Sequence, residues 1–102
     1  MVLQVMKWDI RPDKVEDYLE WAQSAIKRTV GFQGVVEFRA YRPVTGDSQV
    51  AVTTEFVNME AWAAWHSNED TQKVMNELYK LARNIKREVW GPSPVNPEPI
   101  RP

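Results

Sequence analysis

Apolar and polar positions alternate at the start of the chain. Across Val2–Ile10, Val2, Met6, Trp8 and Ile10 share one face. Leu3 and Val5 share the other, with Lys7 and Asp9 toward its end. Apolar side chains on both faces predict a central strand covered on both sides. The period then lengthens. From Asp13 onward Val15, Tyr18 with Leu19, Ala22, Ala25 with Ile26, and Val30 recur at helical spacing. Asp13 and Glu16 have the spacing of a capping box, Pro12 sits just outside, and Gly31 is a natural stop. Trp21 falls beside this stripe rather than at its centre. Alternation returns in residues 35–42 and 49–57, which flank a turn made of Pro43, Val44, Thr45, Gly46, Asp47 and Ser48. Setting Phe38 opposite Thr54 puts Val36, Phe38, Ala40, Val50, Val52, Thr54 and Phe56 on the helix side. Glu37, Arg39, Tyr41, Ala51, Thr53 and Glu55 then take the other face. Asn58 caps a helix over 59–66, and a break falls at Ser67 and Asn68. A longer helix follows over 69–84, with Val74, Met75, Leu78, Leu81 and Ala82 as its stripe. Residues 85–90 read as the last strand.

The order β-α-β-β-α-β predicts an α+β fold of ferredoxin-like plan, an antiparallel sheet with helices on one face. Helices on one face leave the other bare, yet the first strand carries apolar residues there. A second copy of the sheet is the simplest cover, so a homodimer is expected. The domain spans 1–91. Residues 92–102 hold five of the seven prolines and cannot continue a sheet, so they read as an extended arm.

Composition narrows the function classes. At 102 residues one domain is expected, with a modest core. A net charge of −1 gives no basic field, and nucleic acid is not an expected partner. The absence of Cys excludes disulfides, thiolate metal sites and a Cys nucleophile. The first residues are too short and too polar a run for a signal peptide or a membrane span, and a cytoplasmic location is expected. Five Trp in so short a chain is the one oddity.

The candidate chemistry is sparse. His66 is the only His and could accept a proton from a phenolic substrate; otherwise it is an exposed residue at a helix end. Trp62 and Trp65 are i, i+3 on one helix. With Trp8, Tyr18 and Trp21 they could wall a flat aromatic pocket; otherwise they form core and dimer seam. Arg39, with Glu37 and Glu55 near it, could grip an anionic ligand group or simply close an ion cluster. One His without Cys meets no usual metal pattern, so no metal is expected. Gly31-Phe32-Gln33-Gly34 precedes a strand, not a helix, and is no phosphate loop.

The stretches GFQGVVEFRAY, AVTTEFVNMEAWAAWHSNE and EVWGP carry a family likeness. Over about residues 2–92 the chain resembles the dimeric α+β barrel proteins, in particular the antibiotic-biosynthesis-monooxygenase-like group. The resemblance implies two subunits stacking their sheets into one barrel, with a ligand cavity in each between sheet and helices. It implies oxidation of a small aromatic or quinol-type molecule by O2 with no cofactor. The family often has a His on the short helix, and that position falls at Trp65. Haem-degrading members have an iron-ligating His on the longer helix, where this chain reads Thr71-Gln72-Lys73-Val74-Met75-Asn76. The expected function is therefore a cofactor-independent monooxygenase-like protein. His66 is the candidate base, and Trp8, Tyr18, Trp62, Trp65 and Arg39 are the candidate ligand contacts. The alternatives are a non-catalytic metabolite-binding or assembly dimer and, less favoured for want of that His, a haem-binding protein.

Overall fold

A computed structural model describes residues Met1–Pro102. In chain order the elements are β1 (Val2–Ile10), a single 3-10 turn (Pro12–Lys14), α1 (Val15–Val30), β2 (Val35–Tyr41) and β3 (Val50–Phe56). Then come α2 (Met59–Ser67), α3 (Glu69–Leu81) and β4 (Ala82–Trp90). The strands form one antiparallel sheet in the order β2-β3-β1-β4. This is the ferredoxin-like arrangement, with α2 and α3 together filling the second helical slot. Residues 91–102 carry no helix or strand.

The hairpin register follows from the alternation: Phe38 lies opposite Thr54 and Glu37 opposite Glu55. Val36 departs from its expected face. The ladder shifts between Val35 and Glu37, so Val35 takes the place opposite Phe56 and Val36 turns outward. Asn58 caps α2 by accepting the Ala61 N–H at 2.8 Å. Asn68 ends α2 and caps α3, accepting the Asp70 N–H at 2.8 Å.

Three local expectations are corrected. The capping box at Asp13 and Glu16 does not form, because Asp13 lies inside the 3-10 turn. That turn is closed by the Lys14 N–H on the Arg11 carbonyl, and the helix proper starts at Val15 with no side-chain cap. The buried face of α1 is rotated about its axis. Tyr18, Ala25 and Thr29 are buried, while Val15, Leu19 and Val30 are exposed. Thr29 tolerates burial because its hydroxyl donates to the Ala25 carbonyl. Helix α3 stops at Leu81, not Asn84. Ala82 and Arg83 already pair with Ile10 and Asp9, and the Leu81 carbonyl accepts the Arg11 N–H at 2.9 Å. Asn84 sits at φ +56°, a conformation Asn tolerates better than most residues. It marks the shift in the β1–β4 ladder and donates to the Asp9 carboxylate at 2.9 Å.

The core lies between the sheet and the helices. Met6, Trp8, Val52 and Phe56 rise from the sheet to meet Tyr18, Trp65, Val74, Met75 and Leu78. The opposite face of the sheet has no helix over it.

Candidate functional site

The helix-side face of the sheet is not filled completely. A cavity of about 180 Å³ remains between it and the helices. Its floor comes from alternate residues of the strands: Gln4, Met6 and Trp8 on β1, Val52 and Thr54 on β3, Phe38 on β2. Its roof comes from Tyr18, Ala22 and Ala25 on α1 and from Val74, Met75 and Leu78 on α3, with Trp65 of α2 closing one side. The small side chains of Ala22 and Ala25 leave the space, since a helix presents one face every turn to the sheet beneath it.

Few polar groups reach this cavity, and tryptophans orient two of them. The Trp8 indole N–H donates to the Tyr18 hydroxyl at 3.2 Å. The Trp62 indole N–H donates to the side-chain oxygen of Gln4 at 2.9 Å. Burial pushes the Tyr18 phenol above its ordinary value of 10.0, and the Trp8 hydrogen bond only partly offsets this, so Tyr18 is a neutral phenol at physiological pH. At the seam between α1 and α3, Glu77 accepts hydrogen bonds from Arg28 and, at 2.7 Å, from the Trp21 indole. The hydrogen bond from Arg28 is the main reason its carboxyl lies below the usual range, with Trp21 adding to it. This clasp ties the two roof helices together. Both charges remain substantially exposed, so as an ion pair it contributes only about 0–1 kcal/mol.

A second hollow, of about 300 Å³, opens to the surface between the end of α1 and the start of α3. Lys27, Arg28, Phe32 and Asp70 line it, and it shares Thr29, Trp65 and Val74 with the inner cavity. The two hollows are thus neighbours, parted by these three buried side chains.

Of the candidate residues, Trp8, Tyr18 and Trp65 stand together around the cavity. Trp62 lies behind it and touches it only through Gln4. His66 stands outside. Its ring stacks on Trp62 at 4.9 Å between centroids, with Nδ1 at 3.4 Å from an Arg87 guanidinium nitrogen. No carboxylate lies within ion-pair distance of it. Arg39 is on the uncovered face of the sheet, its guanidinium 5.4 Å from the centre of the Tyr41 ring. The ion cluster with Glu37 and Glu55 does not form. No group of three or more His, Asp or Glu side chains is placed to hold a metal ion. The sequence reading left Gln4 unplaced and set Thr54 on the helix side without taking it as a site residue. Each is a polar residue on the helix-facing side of its strand, and that mismatch was the available signal.

A family model described as "Antibiotic biosynthesis monooxygenase" matches residues 1–77. No curated protein matches the chain at a significant level. Among solved structures, a candidate antibiotic biosynthesis monooxygenase from Deinococcus radiodurans superposes with a TM-score of 0.81 at 12% identity. That match covers 99% of this chain and 97% of the other. A "dabb family protein with a ferredoxin-like fold" from Mesorhizobium loti gives 0.78 at 14% identity, covering 90% and 96%. Rv0793 from Mycobacterium tuberculosis gives 0.75 at 15% identity, covering 90% and 94%. Identities this low speak for the fold alone. The sequence match itself spans β1 through most of α3, and on that ground the chain belongs to the antibiotic biosynthesis monooxygenase family.

Proposed function

We propose that the cavity binds a one- or two-ring phenol or quinol and that the protein oxidises it with O2 without a cofactor. The supporting observation is the cavity itself, set between sheet and helices, mainly apolar and faced by Trp8, Tyr18 and Trp65. Its size sets the substrate. An apolar cavity of about 150 Å³ holds benzene. At about 180 Å³ this one holds a substituted ring or a compact bicycle, and a three-ring substrate enters only if α1 and α3 part. In the reaction a phenol gains one oxygen atom and loses two hydrogens to become a quinone, and the second oxygen atom leaves as water. All four electrons come from the substrate, so no reductant is consumed. The residues around the cavity hold the ring and exclude water. The geometry favours them over His66 for contact with substrate.

Trp fluorescence and O2 uptake test this together. Small phenols and naphthols should quench the fluorescence saturably and drive O2 consumption in step with quinone formation. Ala25→Leu, which fills the cavity from its roof, should weaken both at least tenfold, while His66→Ala should leave ligand binding unchanged. Absence of saturable quenching by any of these compounds would overturn the reading. Quenching without O2 uptake would favour the second reading, a non-catalytic binding protein, which the lack of a carboxylate paired with His66 supports.

The same proposal gives the uncovered sheet face to a second copy of the chain. Leu3, Val5, Tyr41 and Trp90 lie on that face, and Tyr41 and Trp90 are each about half exposed. Sedimentation at micromolar concentration should return a dimer, and a clean monomer would contradict it.

A further inference from the structure

Two groups bordering the cavity have a hydrogen-bonding polarity set by their neighbours. An indole N–H can only donate. Trp8 therefore obliges the Tyr18 oxygen to accept, and the phenol's own proton must point elsewhere. Trp62 obliges the Gln4 carbonyl oxygen to accept, which turns the amide NH2 the other way. Neither the Tyr18 O–H nor the Gln4 NH2 finds an acceptor in the protein. Both side chains are more than nine-tenths buried: Tyr18 is 8% exposed and Gln4 2%. No buried side-chain nitrogen or oxygen that lacks a partner is sealed off, so the unpartnered Gln4 amide nitrogen must border open space, and the space that Gln4 and Tyr18 both line is the cavity.

Buried donors without acceptors are uncommon and costly. A ring placed in a purely apolar hole would need neither group. We infer that Tyr18 and Gln4 are paired donors for an oxygen acceptor on the ligand, so that the cavity selects rings bearing a carbonyl or phenolic oxygen over hydrocarbon rings of the same shape. This rests on the proposal that the cavity is a ligand site, and it adds what that proposal lacks, the ligand's chemical handle. Each donor is held by a tryptophan, Trp8 beneath Tyr18 and Trp62 behind Gln4. Their partners are thus oriented before the ligand arrives, and little ordering cost is left for binding. Two of the five tryptophans then have a positioning role, beyond filling the core.

Acetophenone and α-methylstyrene test this, because they share one shape and differ in the acceptor. Titrated by Trp fluorescence into the wild-type protein, acetophenone should bind about tenfold more tightly, the worth of one neutral buried hydrogen bond or slightly more. The carbonyl stretch of bound acetophenone should lie below its value in hexane. In Tyr18→Phe, with folding checked by circular dichroism, the preference should fall to about twofold and the stretch should move toward the hexane value. Gln4→Leu gives an independent second variant, expected to reduce the same preference. The wild-type ratio alone decides the matter if either variant fails to fold. Equal binding of the two probes would overturn this inference and leave the cavity as a ligand site. Binding of neither would overturn the site and the inference with it.

Discussion

Phe56→Ala should cost about 3–5 kcal/mol of folding stability, toward the upper end for a core truncation. Phe56 is fully buried, and its ring packs on Trp65 with centroids 5.2 Å apart at 52°. The cost of such a change depends on how far the site can collapse, and here it can collapse little. Strand β3 is hydrogen-bonded on both sides, with Phe56 paired to Val2 on β1 and to Val35 on β2. The backbone cannot follow a shrinking side chain, and the tilted contact with Trp65 is lost as well. A domain of this size has roughly 5–15 kcal/mol in all, so the variant should sit near the edge of folding. Urea denaturation measures it: a shifted midpoint at unchanged slope is expected. A loss below about 1.5 kcal/mol would mean that the ring is not the centre of the core.

Gly34→Ala should cost about 2–4 kcal/mol although no side chain is removed. Gly34 has φ +94°, outside the comfortable range of other residues, and its carbonyl accepts the Val57 N–H at 3.0 Å where β3 gives way to α2. A Cβ there would stand 2.7 Å from the Ala61 Cβ. Two penalties add, backbone strain and overpacking against the first turn of α2. They can be separated. Ala61→Gly in the same chain should recover the steric part and leave the backbone part, so the double variant should remain about 1 kcal/mol or more below Ala61→Gly alone. Full recovery would mean that the positive φ carries no strain.

What the sequence made legible follows from the strength of each period. The strands of the hairpin alternate cleanly, and a one-residue slip would expose Val52 and Phe56, so the pairing of Phe38 with Thr54 could be read directly. Asn58 before a run of Ala and Trp was equally plain as a cap. The face of α1 was not, because apolar residues cover more of that helix than its contacts need. Leu19 and Val15 compete with Trp21 and Thr29, and the choice rests on tertiary contacts, the burial of Tyr18 and Ala25 against the sheet and the hydrogen bond from Trp21 to Glu77 of α3. The end of α3 was hidden for a similar reason. Ala82 and Arg83 suit a helix, and pairing with Ile10 and Asp9 overrides that preference. Around the cavity, Trp8 and Tyr18 were legible as aromatic side chains on the apolar face of their elements, whereas Trp65 could be named only together with Trp62. The separation of Trp62 and His66 from the cavity was not. It depends on how α2 is rolled over β1, which spacing alone does not determine.

The unfilled space between sheet and helices also bears on how firmly the protein holds together. Sealed void costs roughly 24 cal/mol per Å³, so a cavity of about 180 Å³ represents at most about 4 kcal/mol of forgone packing. The empty protein is therefore the weaker form, and its heat resistance should report occupancy. A ligand at a hundred times its dissociation constant adds about 2.7 kcal/mol by mass action. For a domain of this length that raises the melting temperature by several degrees or more. The hole that costs the fold its packing thus makes its unfolding temperature an assay for any compound that fills it.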